Sequence, residues 1–219
     1  MGQIRIGQMV LGPVMTNSYY MFREQTEGNT PVLLFDPPDE GERIVDALKS
    51  RGFTIAKIFL THAHFDHIGG VAGILARARE EGARIPVACP DAERAICADP
   101  ALNCSLSMGG HAVTVEPDEW LRDGDVTECA GVTLRVIATP GHTEGSCCYY
   151  CEEAGALIAG DTLFCESVGR SDLPTGSMSQ LVRSVKEKLF VLPDETVVLP
   201  GHGQETSIGD EKKYNPFLA

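Results

Sequence analysis

The 219 residues predict a layered domain of mixed α/β (α+β) class. Three observations point there. Short apolar, β-branched runs recur along the chain, amphipathic stretches with helical spacing lie between some of them, and an Asp-Gly pair marks a tight turn. No internal repeat and no low-complexity tract interrupts this pattern.

In chain order, residues 32–35 read as a strand. Residues 39–51 follow as a helix, with Ile44, Val45 and Leu48 on one face and Gly52 as its stop. Residues 55–60 are the next strand, and residues 68–81, ended by Gly82, the next helix. Residues 100–110 and 166–177 are rich in Gly, Ser and Pro and read as long loops, a class that commonly carries function. Asp123-Gly124 is a hairpin-type turn, which requires part of the sheet to be antiparallel. Residues 132–138, 147–151, 156–159 and 197–199 are further strands, and residues 178–190 a helix.

Composition narrows the functional class. With 43% hydrophobic, 22% charged and 6% aromatic residues, the chain is neither disordered nor collagenous nor a coiled coil, and residues 1–219 are expected to form one domain. Eighteen Lys and Arg against 31 Asp and Glu give a formal charge of −13, the wrong sign for nucleic acid or an anionic membrane surface. The first ten residues lack an apolar stretch with a cleavage site, and no apolar run approaches a membrane span. Ile6 stands where a myristoylation signal needs Ser or Thr. A cytoplasmic protein is expected. The eight cysteines then read as free and mostly buried thiols. Cys148 and Cys151 form the single C-x-x-C, but on a strand they point to opposite faces, which does not suit a redox pair.

The chemistry lies in the histidines. Of six, five follow directly on strand-like runs, whereas His111 has no such context and reads as a surface or loop residue. Residues 55–60 lead into Thr61-His62-Ala63-His64-Phe65-Asp66-His67, and residues 132–138 into Thr139-Pro140-Gly141-His142. Residues 156–159 deliver Gly160-Asp161-Thr162, and residues 197–199 lead through Pro200-Gly201 to His202. Ligands at strand ends can converge on one rim of a sheet. In an extended segment His62 and His64 project to the same side, while Asp66 and His67 fall at the turn that opens the next helix. Four metal-competent groups in six residues suit two adjacent ions better than one.

The run His62-x-His64-x-Asp66-His67 with Gly69-Gly70, followed by Pro140-Gly141-His142-Thr143, Gly160-Asp161-Thr162 and Gly201-His202-Gly203, resembles the metallo-β-lactamase superfamily from about Gly12 to the end of the chain. Gly160-Asp161-Thr162-Leu163-Phe164, Val168-Gly169-Arg170-Ser171-Asp172 and Asn215-Pro216-Phe217-Leu218 look like its glyoxalase II (hydroxyacylglutathione hydrolase) branch, in particular the small stand-alone bacterial members. The resemblance implies an αββα four-layer sandwich without the helical C-terminal domain of full-length glyoxalase II. It also implies that His62, His64 and His142 hold one metal, that Asp66, His67 and His202 hold a second, and that Asp161 bridges them. Asp36 would support the site from behind, and Arg170 would contact substrate where longer relatives carry a lysine. Asp172, in place of a tyrosine nearby, leaves the thiol carrier open and offers Arg170 an ion-pair partner.

Two divalent ions, zinc in the first place and iron or manganese compatibly, lower the pKa of a shared water and polarise a carbonyl, so that no side-chain nucleophile is needed. Asp66 and Asp161 are then the carboxylates of the catalytic centre. The expected reaction is hydrolysis of a small-molecule thioester such as S-lactoylglutathione, because a thiolate leaves without a strong general acid. Rivals on the same scaffold are a mononuclear iron persulfide dioxygenase using His62, His142 and Asp161, a lactone or phosphoester hydrolase, a β-lactamase, and a non-catalytic metal-binding domain. The two ions outweigh the two carboxylates, so an acidic protein can still receive an anionic substrate.

Overall fold

Apolar residues alternate along the first strand, Ile4–Leu11 (β1), which pairs antiparallel with Thr16–Arg23 (β2), itself antiparallel to Thr30–Phe35 (β3). This is a computed structural model, and it describes residues 2–26 and 28–218. Parallel pairing then adds Phe53–Phe59 (β4), Val87–Pro90 (β5) and Glu119–Leu121 (β6), so that the first sheet runs in sequence order from β1 to β6. The second sheet contains Val126–Cys129 (β7), Val132–Ala138 (β8), Cys147–Cys151 (β9) and Ala156–Gly160 (β10). The short hairpin Leu163–Phe164 (β11) and Ser167–Val168 (β12) stands apart, and Val197–Pro200 (β13) and Thr206–Ser207 (β14) complete that sheet in the order β14-β13-β10-β9-β8-β7.

Three apolar clusters define the layers. Leu33, Phe35 and Phe59 of the first sheet pack on Val136, Tyr149 and Ile158 of the second. The outer face of the first sheet is covered by Gly41–Lys49 (α1), Phe65–Ile68 (α2), Val71–Glu80 (α3) and Arg94–Ala98 (α4), through Ile44, Leu48, Ile68, Ile74 and Ile96. The outer face of the second carries Met178–Ser184 (α5) and Ile208–Tyr214 (α6), through Leu181 and Ile208. This is the expected αββα sandwich. No helix among the described residues is long and apolar enough to cross a membrane.

The strands at 132–138 and 147–151 form as expected, and Cys148 and Cys151 do face opposite sides, one toward the helices and one between the sheets. All eight thiols are free. Other expectations change. Asp123-Gly124 is no hairpin: it carries the chain from β6 in one sheet to β7 in the other, anchored by Asp123 Oδ1 accepting from Ala138 N at 2.8 Å. Antiparallel pairing lies elsewhere, among β1, β2 and β3 in the first sheet and among β7, β8, β9 and β10 and between β13 and β14 in the second. The helix expected at 68–81 breaks into α2 and α3 at Gly69-Gly70, where Gly70 N donates to Pro37 O at 2.9 Å. A Cβ on Gly69 would lie 2.3 Å from Pro38 O, so the segment after β3 can cross here only above glycine. The helix expected at 178–190 is α-helical to Ser184 and then widens into a π-type turn, Val185–Leu189. Strands β1 and β2 add to those the sequence predicts; in β2, Thr16, Asn17 and Ser18 are polar yet enclosed, each side chain hydrogen-bonded outside its own strand.

Candidate metal centre

Strands β3 and β4 end at one edge of the first sheet, and the parallel strands β10 and β13 end at the adjoining edge of the second. Hydrogen bonds between the sheets hold these edges together. Tyr149 Oη donates to Leu60 O at 2.7 Å, Tyr19 Oη to Pro200 O at 2.9 Å, Cys147 N to Thr61 O at 2.9 Å and Asn17 N to Gly201 O at 2.7 Å. The segments carrying His62, His64 and His202 are thus tied to the opposite sheet beside the histidines themselves.

All seven predicted ligands meet there. His62, His64 and His142 form one group, Asp66, His67 and His202 another, and His62, His67 and Asp161 a third between them, with the ligand atoms of each group within 4.8 Å of one another. Asp161 reaches both sides: Oδ2 lies 3.6 Å from His142 Nε2 and 3.5 Å from His202 Nε2, and Oδ1 lies 3.4 Å from His67 Nε2. Asp66 Oδ2 sits 3.3 Å from His202 Nε2 and 3.7 Å from His67 Nε2. Nε2 of His62, His64 and His67 and Oδ1 of Asp161 are buried without a hydrogen-bond partner, and His64 Nδ1 faces His142 Nε2 at 2.8 Å. Buried polar atoms left bare cost about 1–3 kcal/mol each, and so many aimed at one point match the donor set of divalent cations.

Neighbouring groups aim the ligands. Asp36, predicted to stand behind the site, accepts from Thr61 N and Thr61 Oγ1 at 2.7 Å each and lies 3.1 Å from His67 Nδ1. Thr16 Oγ1 donates to Asp66 Oδ2 at 2.9 Å. His142 Nδ1 lies 2.7 Å from Arg170 O, and since a carbonyl only accepts, the proton sits on Nδ1 and Nε2 stays free to ligate. Small residues admit this crowding: a Cβ on Gly201 would fall 2.2 Å from Asp161 Oδ1.

Glu93 escaped the sequence reading. It lies in the turn before α4, fully buried, and accepts from Ala63 N at 2.8 Å, Thr143 Oγ1 at 2.5 Å and Gly145 N at 3.0 Å. One carboxylate therefore joins the His62-x-His64 segment to the loop carrying His142. Its spacing from Ile96 and Cys97, three and four residues on and both buried, is the signal that placed it on an inward face.

Burial and mutual repulsion hold His62, His64 and His142 below the usual imidazole range, His64 at about 3, which keeps them neutral and ligand-competent. Burial opposes ionisation of Asp66 and Asp161, but His67 and His202 outweigh it, leaving Asp66 well below the carboxylate range and Asp161 at about 2. Burial likewise works against a charge on His67 and His202, yet the surrounding carboxylates raise both.

Above the ligands opens a cavity of about 420 Å³ with His64, Asp66, His142, Asp161 and His202 on its floor. Arg170 reaches its rim with its guanidinium in a two-point pair to Asp172, at 2.8 and 2.9 Å. His111 is exposed and outside the site.

The family described as the metallo-beta-lactamase superfamily matches residues 11–202. The chain is 41% identical over 212 residues to a probable metallo-hydrolase, YqgX, of Bacillus subtilis, covering 96% of both chains. It is 28% identical over 193 residues to the hydroxyacylglutathione hydrolase GloC of Haemophilus influenzae, covering 84% of this chain and 86% of that one. Among solved structures, the BLEG-1 B3 metallo-beta-lactamase superposes with a TM-score of 0.89 at 38% identity, covering 98% of this chain and 99% of that one. TTHA1623 in a di-iron-bound form does so with a TM-score of 0.79 at 34% identity, covering 97% and 100%.

Proposed function

The chain belongs to the metallo-β-lactamase superfamily as a metal-dependent hydrolase, and from that premise we propose that it cleaves S-acyl thiols at a dinuclear centre. One observation carries the reading: two triads of candidate ligand atoms stand on either side of Asp161, whose Oδ2 lies 3.6 Å from His142 of one and 3.5 Å from His202 of the other, and several of these atoms are buried without another partner. Two divalent ions, when bound, lower the pKa of a shared water and polarise the substrate carbonyl. The protein's own part is placement. Asp36 anchors Thr61 and stands 3.1 Å from His67, Thr16 holds Asp66, the Arg170 carbonyl fixes the ring of His142, and Glu93 keeps the two histidine-bearing segments in register. The hydroxyl and thiol on the cavity lining, Ser167 and Cys104, have no histidine partner to activate them, so water is the attacking group in this reading, and the departing thiolate needs no proton donor. Likeness to a hydroxyacylglutathione hydrolase supports a thioester, and likeness to a B3 metallo-beta-lactamase makes a β-lactam the substrate class to set against it.

The test is a panel of S-lactoylglutathione, other thioesters, lactones, β-lactams and persulfides, run with zinc, iron and manganese forms of known metal content. Thioester turnover with up to two ions per chain is the expected result. A fully loaded protein that leaves every thioester intact, or one that consumes oxygen in step with persulfide turnover, overturns the reading.

A further inference from the structure

The floor of the cavity is polar, but most of its wall is not. Beyond the candidate ligands it is lined mainly by Phe65, Met108, Phe164 and Leu173 with Val14 and Val168, and Ser167 and Arg170 are its polar side chains. Val14 and Met108 are 41% and 50% exposed, and Met15 beside Val14 is 64% exposed, so apolar surface is kept in water where the substrate enters. The wall is held in place: Gly109 lies so close to the Phe65 ring that a Cβ there would meet it at 3.0 Å, and Phe164 stands edge-on to His202 at 6.2 Å.

Arg170 is the single Lys or Arg on this lining among the described residues, and its Nε and Nη2 both donate to the Asp172 carboxylate. Glutathione would bring two carboxylates and an ammonium to a rim whose cation is already neutralised. An uncharged arm meets no such mismatch, and burying it against aromatic and aliphatic side chains is favourable by about 0.8 kcal/mol per methylene.

We propose that the substrate arm beyond the reacting carbonyl is uncharged and apolar, and that Phe65, Met108, Phe164 and Leu173 select it. This rests on the thioester reading. The arm can belong to the acyl group or to the thiol, since both flank the same carbonyl.

Two series on the zinc-loaded protein separate these sources. In the first, the acyl group grows from acetyl to hexanoyl on N-acetylcysteamine; in the second, the thiol of an acetyl thioester changes from glutathione to benzyl mercaptan. The expected result is a rise in kcat/KM of at least tenfold along one series, about fourfold per methylene where the acyl arm is buried. Calorimetry with the non-hydrolysable thioethers S-methyl- and S-hexyl-N-acetylcysteamine gives an independent reading, the hexyl compound binding at least tenfold tighter. Phe164→Asp and Met108→Asp should each lower the ratio of hexanoyl to acetyl, or of benzyl to glutathionyl, kcat/KM by at least fivefold. Val191→Asp, on an exposed residue outside the cavity, should leave the ratio unchanged. A preference for S-lactoylglutathione with no gain along either series overturns the apolar arm and leaves the thioester reading intact; no turnover of any thioester overturns that reading too.

Discussion

The carboxylate of Glu93 accepts the backbone N–H of Ala63 at 2.8 Å, between two histidines that face the metal centre. Its other oxygen takes Thr143 Oγ1 and Gly145 N, so a residue outside the ligand set ties together two segments that are remote in sequence.

Glu93→Ala should strand these donors in the interior and lower stability by about 3 kcal/mol, measured by urea unfolding, with loss of bound metal. Glu93→Gln keeps an acceptor and should lose less.

A pH dependence follows from the same group. Burial raises the Glu93 carboxyl from 4.5 to about 7, against hydrogen bonds that pull the other way. Between those values the folded state holds the proton and the unfolded state does not. The contribution is therefore fully present below about 4.5 and is lost as pH rises through about 7, by about 3 kcal/mol in all. Unfolding of wild type and Glu93→Gln, both metal-free, should diverge over this window. Parallel curves would assign the slope to another group.

Asp161→Ala removes the carboxylate that lies within reach of His67, His142 and His202. Activity should vanish, and metal analysis should find reduced occupancy at both positions.

Gly201→Ala places a methyl group 2.2 Å from Asp161 Oδ1 and 2.8 Å from His67 Cε1. The fold should survive while metal affinity, read by competition with a chelator, falls at least about tenfold, as when a ligand's support is disturbed.

Asp36→Ala leaves Thr61 N without its acceptor, removes one of two partners of Thr61 Oγ1, and leaves His67 without an anion behind it. A loss of about 2–3 kcal/mol and a drop in metal affinity of about 10–100-fold are expected, partly restored by Asp36→Asn.

Much of this was legible in the sequence, because strands β8, β9, β10 and β13 are apolar runs and the residues following β4, β8, β10 and β13 are His or Asp in small-residue turns. Strand β2 was not, since its buried positions Thr16, Asn17 and Ser18 are polar, with groups such as Phe35 O and Pro200 O satisfying them, which no local pattern displays. The Asp123-Gly124 turn misled for a similar reason. Its geometry suits a hairpin, but the partner of β7 is β8, so the turn changes sheets instead. The sequence offers Arg170 as a substrate contact with Asp172 as an alternative ion-pair partner, and only the structure shows its guanidinium paired with Asp172 and its carbonyl with His142.

The sequence by itself determined the donor types, their order and their position at strand ends, because side-chain chemistry and the strand period are local properties. The tertiary structure decided which donors share a site. His62 and His202 lie on different sheets, and their approach depends on how the sheets pack and on bonds such as Tyr149 to Leu60 and Tyr19 to Pro200. It also decided that the helix must break at Gly69-Gly70 and that a lone glutamate must be buried. Both follow from close contacts between segments distant along the chain, where steric room and desolvation are set by neighbours that no sequence window contains.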